Sequence, residues 1–350
     1  MGMIKLPPAS IQLYKENVDE IFESGFLSEG NWNKKLGEYV CEVTGAKSAT
    51  PCSSNGSGVA AVMSIYRHYH GRNLVVVQSN TMYGVKVMGP AVGYEVAGFV
   101  NCQLISLMPS HTDVQEFLAG KSADEKGRMV MLLSHIGGII NPDIEAIAAT
   151  CKEENVILIE DCAHSFGATL NGRHSGLYGD AGVFSFYSTK AIPAGEGGIV
   201  VTNNEDLGDQ VFKFSIYDRF DQKLEVGFNN RVSEIQALIT YSVAREWEAI
   251  VADKTALAEK YMAVCKELGL DYIAQNENGH AGNYYKFILT SADKPIAELL
   301  PELKTKTSPV YDYEIGAPNP LADRHYCLPI WYAQEDEVGE RAIAELRACF

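Results

Sequence analysis

Short apolar runs that alternate with helical patterns are the feature of this sequence that most constrains its fold. The runs at residues 73–79, 128–135 and 156–161 are separated by segments with helical spacing, and two further runs follow at 183–187 and 199–201. Strands that are apolar along their whole length are typical of parallel sheets whose two faces are both covered by helices. The alternation therefore predicts an α/β fold built on a mostly parallel sheet.

The pattern of predicted elements changes after about Tyr241. A helical stretch at 242–268 precedes a strand at 283–290 and a terminal helical segment at 335–350. A chain of 350 residues, 46% of them hydrophobic, is long enough for two packed parts. We therefore predict a large α/β domain over residues 1–240 and a smaller α+β domain over residues 241–350. Other helices are predicted over residues 11–23, 34–43 and 56–70, after Pro142 and Asp143, and from near Glu205.

The net charge and the cysteines limit the partners and the compartment. The formal net charge is -16 and no Lys/Arg-rich run occurs, so the field of the protein repels nucleic acids and anionic membrane surfaces. The first residues contain no apolar leader, and no stretch reaches the length of a membrane span. Eight cysteines are scattered without a CxxC pair, which indicates reduced thiols rather than a disulfide framework or a zinc site. We expect a cytoplasmic protein that holds no metal.

Polar groups follow the predicted strands where ligands bind in parallel α/β sheets, beyond the carboxyl ends. Asp161 closes the run at 156–161. Ser185 lies in the run at 183–187, and Lys190 follows it on a loop that is rich in glycine. The stretch "SSNGSG" opens a helix, so Gly56, Ser57 and Gly58 are expected to offer free backbone N–H groups to a phosphate.

These groups together are the parts that a pyridoxal phosphate site requires. The lysine forms a Schiff base with the cofactor, the carboxylate keeps the pyridine nitrogen protonated, and the helix terminus holds the phosphate. Each feature alone has a structural alternative. A lysine on a loop is usually a surface residue, a carboxylate at a strand end is usually a turn or cap residue, and a Ser/Gly helix start is usually only an N-cap.

The stretch "VILIEDCAHSFGATLNGRHSGLYGDAGVFSFYSTKAIPAGEGGIVVTN" and the later "GFNNR" resemble the DegT/DnrJ/EryC1/StrS family of pyridoxal-phosphate-dependent sugar aminotransferases. The motifs occur in family order, from "FLSEGNWNKKLGEYVCEVTG" near the start to "CLPIW" near the end. The resemblance implies fold type I, with a mostly parallel, seven-stranded-type sheet covered by helices and a smaller C-terminal domain. It also implies a homodimer in which each site is built from two chains.

The resemblance assigns roles to residues of this chain. Lys190 matches the Schiff-base lysine, and Asp161 matches the partner of the pyridine nitrogen. His164 matches a Gln or His beside the cofactor ring, although a core histidine is the alternative. These three are the predicted catalytic residues.

The phosphate of the cofactor is assigned to three further groups by the same resemblance. Ser185 matches a phosphate-binding serine, and Gly56 and Ser57 match the phosphate-binding helix start. Asn229 matches an asparagine that reaches the cofactor phosphate of the neighbouring subunit, although a turn residue is the alternative.

Two departures from the family pattern concern the cofactor face and the substrate. Met82 stands where the family usually carries an aromatic residue that stacks on the pyridine ring, with Tyr83 one step on. The His-Tyr pair that the family places near the substrate is not evident in "TKTSPVYDYEIGAP", where Tyr311 and Tyr313 are the candidate substitutes.

The sequence thus predicts an aminotransferase that moves an amino group from a donor, expected to be glutamate, to a keto sugar that is free, phosphorylated or nucleotide-linked. One alternative is deoxygenation of a keto sugar, which in this family goes with replacement of the lysine by histidine; Lys190 argues against it. The other is a non-catalytic regulator, which the altered substrate side permits.

Overall fold

The computed structural model describes residues 4–350. The helices are α1 (Pro8–Ser24), α2 (Asn31–Thr44), α3 (Asn55–His70), α4 (Tyr83–Ala91), α5 (His111–Ala119), α6 (Ala123–Gly127), α7 (Ile144–Glu153), α8 (Glu205–Ser215), α9 (Glu234–Ala244), α10 (Trp247–Leu268), α11 (Ile296–Leu299) and α12 (Asp336–Arg347). The strands are β1 (Ser48–Cys52), β2 (Leu74–Gln78), β3 (Glu95–Val100), β4 (Met129–Ser134), β5 (Ile157–Cys162), β6 (Thr169–Leu170), β7 (Arg173–His174), β8 (Ala181–Ser185), β9 (Gly198–Thr202), β10 (Asp271–Tyr272), β11 (His280–Ala281), β12 (Phe287–Thr290) and β13 (His325–Leu328).

The largest sheet has seven strands in the order β1-β9-β8-β5-β4-β2-β3. Strands β3, β2, β4, β5 and β8 run parallel, whereas β9 is antiparallel to both of its neighbours. Every residue of β2, β4 and β8 is buried, as expected for strands covered on both faces. The prediction of a mostly parallel α/β sheet is confirmed, and the carboxyl ends of β4, β5 and β8 lie side by side.

The sequence patterns do not predict the two outermost strands of this sheet. Strand β1 contains Pro51 and small residues, which the edge of a sheet tolerates but which do not read as an apolar run. Strand β3 contains Gly98 and is only partly buried. Strand β1 is positioned by pairing with β9, and β3 by pairing with β2. Local sequence patterns do not reveal such pairing between distant segments.

Two predicted elements end elsewhere than expected. The run at 183–187 leaves the strand at Ser185, although the Phe186 N–H still bonds to the carbonyl of Gly197 at 2.9 Å. The helical stretch predicted at 242–268 is broken at Arg245 and Glu246, where α9 ends and α10 begins. The break has a physical reason, because α9 packs against α1 and α2 whereas α10 packs against α12 and β10.

The C-terminal part has a core of its own. Strands β10, β12 and β13 form an antiparallel sheet, and the Tyr261 ring of α10 lies 5.2 Å from that of Phe287. The predicted division at 240/241 falls within α9 and stays a prediction. None of the helices in residues 4–350 combines the length and the apolar character needed to cross a membrane.

Candidate active site

Lys190 lies in the loop between β8 and β9, as predicted, and backbone bonds fix this loop. The Ser188 N–H donates to Gly195, the Ala194 N–H to Phe186, and the Lys190 N–H to Tyr187 at 2.9 Å. The loop is therefore a folded-back extension of the two strands, and it holds Lys190 beyond the carboxyl end of β8.

The glycines after Lys190 have a steric role. Gly198 begins β9 directly against the start of α3, and a Cβ there would lie 2.5 Å from the carbonyl carbon of Ser54 and 2.6 Å from the nitrogen of Asn55. Gly197 adopts a φ of 132°, which residues other than glycine rarely adopt. The glycines of the "GEGG" run therefore allow the start of α3 to lie close to the loop that carries Lys190.

Asp161 is buried near the carboxyl end of β5, and its side chain accepts three hydrogen bonds. Asn55 Nδ2 donates to Oδ1 at 3.0 Å and Ser134 Oγ donates to Oδ2 at 2.9 Å. The Ala163 N–H donates to Oδ1 at 3.2 Å. Because all of these groups are donors, the carboxylate is held in place as a hydrogen-bond acceptor.

The start of α3 is closed by a reciprocal cap. The Ser57 N–H donates to Ser54 Oγ at 3.1 Å, and the Ser54 N–H donates to Ser57 Oγ at 2.9 Å. The Gly58 N–H donates to the Ser54 carbonyl at 3.1 Å. The expectation that this whole stretch offers free N–H groups is therefore wrong for Ser57 and Gly58, because capping and the first helical bond use their protons. Gly56, in the first turn, has no intrahelical acceptor.

Lys190 is half-buried, and its amine lies 5.1 Å from the centre of the Tyr285 ring. Burial lowers its pKa from the usual value of 10.5 to about 8. The Asp161 carboxylate opposes this change, and the Lys286 ammonium adds to it. Lys190 thus has a much larger neutral fraction at pH 7 than an exposed lysine, as a nucleophile or base requires.

His164 is a buried, neutral imidazole. Burial lowers its pKa well below the usual value, and the ammonium groups of Lys190 and Lys286 act in the same direction. The Gly137 N–H approaches Nδ1 at 3.4 Å, and Nε2 lies 3.3 Å from the Tyr311 hydroxyl. The ring stacks on that of Tyr285, with centres 4.2 Å apart and planes at 29°.

These groups border one cavity of about 430 Å³, within the roughly 300–1,000 Å³ typical of small-molecule sites. Of the predicted site residues, the cavity is lined by Gly56, Met82, Asp161, His164, Ser185 and Lys190. Met82 rather than Tyr83 lines it. Tyr311 does so as well, whereas the Tyr313 hydroxyl accepts the Tyr83 N–H at 2.9 Å.

Two predicted residues lie outside this cavity. The hydroxyl of Ser57 also bonds to Ser53 at 3.0 Å, so in this chain Ser57 serves the helix cap. Asn229 is exposed, and its side-chain oxygen lies 3.5 Å from the Arg231 N–H. The predicted roles of Ser57 and Asn229 stay predictions.

Sequence patterns missed several residues of the cavity wall, notably Ser134, Asn55 and Tyr285. Ser134 carries the signal that identified Asp161, a polar residue closing an apolar run, and could have been found in that way. Asn55 and Tyr285 have no such signal, because they reach the cavity only through tertiary packing.

His135, which also lines this cavity, lies close to Glu160 and Cys162, and the three are potential metal ligands. Glu160 is fully buried, and its two oxygens accept the His135 Nε2–H at 2.8 Å and the N–H groups of Gly176, Tyr178 and Gly179. Burial opposes ionisation, but the His135 bond and the backbone donors hold the pKa of Glu160 below its usual value. With these donors on both oxygens, Glu160 links β4, β5 and the segment before β8 in a structural network.

The residues around the cavity fit pyridoxal phosphate. A buried acceptor carboxylate, Asp161, suits a protonated ring nitrogen, and Lys190 is an amine with a lowered pKa. The Ser185 hydroxyl accepts the Tyr187 N–H at 3.4 Å and keeps its own proton for an anion, and Gly56 lines the same cavity. The donors suited to a phosphate and the acceptor suited to a ring nitrogen line the same cavity.

Comparisons with known proteins agree with this chemistry. The model of the DegT/DnrJ/EryC1/StrS aminotransferase family matches residues 9–328. A protein of Micromonospora echinospora, described as an L-glutamine:3-amino-2,3-dideoxy-scyllo-inosose aminotransferase, is 30% identical over 185 residues, which are 50% of this chain and 44% of that protein. GDP-perosamine synthase of Escherichia coli O157:H7 is 27% identical over 256 residues, 71% of this chain and 67% of that enzyme.

A crystal structure of a DegT DnrJ EryC1 StrS aminotransferase from Brucella abortus has the same fold. It matches with a TM-score of 0.86 at 18% identity and covers 99% of both chains. The predicted fold class is confirmed by this likeness.

Proposed function

Because the chain belongs to the DegT/DnrJ/EryC1/StrS aminotransferase family, as its motifs predicted, we propose that it transfers an amino group from glutamate to a keto sugar with pyridoxal phosphate as cofactor. The observation that carries this proposal is the meeting of Lys190 and Asp161 at one cavity. The intact lysine favours amino transfer over the deoxygenation that goes with its loss.

The cofactor would be held by groups of the cavity wall. When bound, pyridoxal phosphate supplies an aldehyde that combines with amines and a protonated ring that withdraws electrons from the reacting carbon. Asp161 would keep the ring nitrogen protonated, since its carboxylate is fixed by three donors. Ser185 and Gly56 would donate to the phosphate, and Met82 would pack beside the ring.

Lys190 would be the acid–base group of both half-reactions. Its pKa of about 8 leaves a useful neutral fraction near pH 7, so Nζ can accept the proton from Cα of the amino donor. In the second half-reaction the same amine returns a proton to the sugar carbon that receives nitrogen. Neutral His164 would orient groups at the cavity wall without competing as a base, because its pKa lies well below the usual value.

The test is the transfer of ¹⁵N from labelled glutamate to sugar. The cofactor-loaded protein is incubated with keto sugars that are free, phosphorylated or nucleotide-linked, and products are followed by mass spectrometry. A ¹⁵N-amino sugar is expected with the native protein and with Lys266→Ala, which changes an exposed lysine of α10, but not with Lys190→Ala. A deoxygenated product would establish the first alternative. Failure of glutamate and other common amino donors to react would favour the regulator.

We also propose a cytoplasmic homodimer with sites shared between two chains. Large apolar side chains near Asn229 in the sequence are unusually exposed: Phe228 is 71% and Phe220 75% accessible. Exposed apolar side chains that cluster on one surface are typical of interaction sites. Asn229 would reach the partner's cofactor phosphate from this surface. The proposed cytoplasmic location is supported by the eight unpaired cysteines, six of which are buried.

A mixed dimer tests the shared site. Lys190→Ala and Asn229→Ala are each expected to be inactive or badly impaired as homodimers. In a mixed dimer, the site with Lys190 from the Asn229→Ala chain takes its asparagine from the other chain, so one complete site forms. Activity should approach half the native value per mixed dimer. If verified mixed dimers recover nothing while native dimers survive the same unfolding and refolding, Asn229 does not act across the interface.

A further inference from the structure

Tyr311 lines the active-site cavity from the segment between α11 and β13, and a buried asparagine fixes its position. Asn80, which follows β2, is fully buried. Its Oδ1 accepts the Tyr311 N–H at 3.0 Å, and its Nδ2 donates to the Val310 carbonyl at 2.9 Å. Asn319 Nδ2 donates to Asn80 Oδ1 at 3.0 Å and to the Tyr311 carbonyl at 3.2 Å. Because a buried amide group loses these bonds if it moves, the backbone of Tyr311 is held against the end of β2.

The imidazole of His164 decides which way the proton of the Tyr311 hydroxyl points. Burial keeps the pKa of His164 well below its usual value, so the ring carries a single proton. The Gly137 N–H donates to Nδ1 at 3.4 Å, so Nδ1 is the acceptor and Nε2 carries the proton. Nε2 lies 3.3 Å from the Tyr311 oxygen and donates to it. The proton of the Tyr311 hydroxyl is therefore not used by His164.

This proton stays on Tyr311 and is available to a ligand. Burial raises the pKa of Tyr311 well above its usual value of 10.0, and Tyr285 and Asp161 act in the same direction. The hydroxyl is therefore a neutral O–H group at any pH near 7. Across residues 4–350, His164 is its one hydrogen-bond partner, and that partner is a donor.

We propose that Tyr311 donates a hydrogen bond to the carbonyl oxygen of the keto sugar, with His164 setting the direction of the O–H group and Asn80 its position. The inference rests on the amino transfer proposed above. A carbonyl oxygen can only accept hydrogen bonds, which matches a phenol whose oxygen already accepts one from His164. Negative charge develops on this oxygen when an amine attacks the carbonyl carbon, and a donor that is already in place stabilises that charge. Tyr311 keeps its proton, so no bond to it forms or breaks.

Removal of the hydroxyl in Tyr311→Phe tests this role in the cofactor-loaded protein. For a keto sugar that the native protein aminates, kcat/KM should fall by about 10- to 100-fold. Exchange of the Cα hydrogen of glutamate with D2O involves no carbonyl group, so its rate should stay within about threefold of the native rate. Tyr313→Phe is the matched control and should behave like the native protein in both assays, because the Tyr313 hydroxyl accepts the Tyr83 N–H rather than lining the cavity.

The outcomes separate this role from the proposed function. If the native protein aminates a keto sugar and Tyr311→Phe does so with the same kcat/KM, the role of Tyr311 is wrong and amino transfer stands. The same holds if Tyr311→Phe slows the exchange of glutamate as much as the amination, because the variant has then disturbed the whole site. A native protein that aminates no keto sugar contradicts the proposed function itself, and the role of Tyr311 with it.

Neutron diffraction from cofactor-loaded crystals grown in D2O tests the proton directions without any reaction. Deuterium is expected on Nε2 of His164 and not on Nδ1, with the O–D bond of Tyr311 directed into the cavity. Deuterium on Nδ1 of His164, or an O–D bond of Tyr311 directed at His164, would overturn the proposal.

Discussion

Lys190 should reduce the stability of the cofactor-free protein at neutral pH. Burial lowers its pKa from 10.5 to about 8, so at pH 7 folding removes a charged amine from water. The difference between these two values corresponds to roughly 3 kcal/mol. Methionine has a similar length and no charge, so Lys190→Met should raise the free energy of unfolding at pH 7 by up to about 3 kcal/mol.

The difference in the free energy of unfolding between Lys190→Met and the native protein should shrink as the pH rises. Below the folded pKa of about 8, Lys190 is protonated in both states and the full penalty is present. Between about 8 and 10.5 the folded protein loses this proton while the unfolded chain keeps it, so the native protein gains stability relative to Lys190→Met. At pH 9.5 the gap should be about 2 kcal/mol smaller than at pH 7.

Urea unfolding of the cofactor-free proteins at equal concentration, at pH 7 and pH 9.5, measures both quantities. Lys266→Met is the matched control, because it removes a lysine from an exposed helix position and should show no such pH dependence. If Lys190→Met is less stable than the native protein at pH 7, or if the difference in unfolding free energy does not narrow at pH 9.5, the amine of Lys190 does not carry this penalty.

Three further changes test separate parts of the site. Asp161→Ala should slow 2-oxoglutarate release from glutamate in a single turnover by orders of magnitude, because the group that keeps the ring nitrogen protonated is lost; a rate within about tenfold of the native rate would contradict its role. Glu160→Gln should lower the free energy of unfolding, measured in urea, by roughly 2–6 kcal/mol. An amide oxygen cannot accept all four buried donors, so about two of them lose their partner. A change below about 1 kcal/mol would speak against the network. Gly198→Ala should lower the Tm and weaken cofactor binding in a fluorescence titration, because the new Cβ would lie 2.5 Å from the Ser54 carbonyl carbon; unchanged binding would show that the helix start tolerates displacement.

Several predicted site residues that line the cavity follow from local patterns and one rule of sheet topology. Asp161 and Ser185 close apolar strands, and parallel strands bring their carboxyl ends to one edge. Lys190 follows from the loop between two such strands. The family resemblance then added His164 and Met82, which no local pattern assigns to the cavity.

The remaining residues could not be found because their positions depend on packing between distant segments. Tyr285 meets His164 from a segment more than a hundred residues away. Asn55 reaches both Asp161 and the Val183 carbonyl, a contact that exists only when α3 packs against the sheet. The backbone N–H of Ser57 was assigned to a phosphate as part of the helix start, but in the capping box it donates to the Ser54 hydroxyl.

Borohydride reduction of the cofactor-loaded protein, followed by peptide mass spectrometry, identifies the lysine that forms the Schiff base. The cofactor mass should be fixed on the peptide that contains Lys190, in stoichiometric yield. Lys190→Arg, which keeps the charge, should bind the cofactor without this fixation. Label on another lysine, such as the nearby Lys286, or no label on a protein that has bound the cofactor, would contradict the assignment of Lys190.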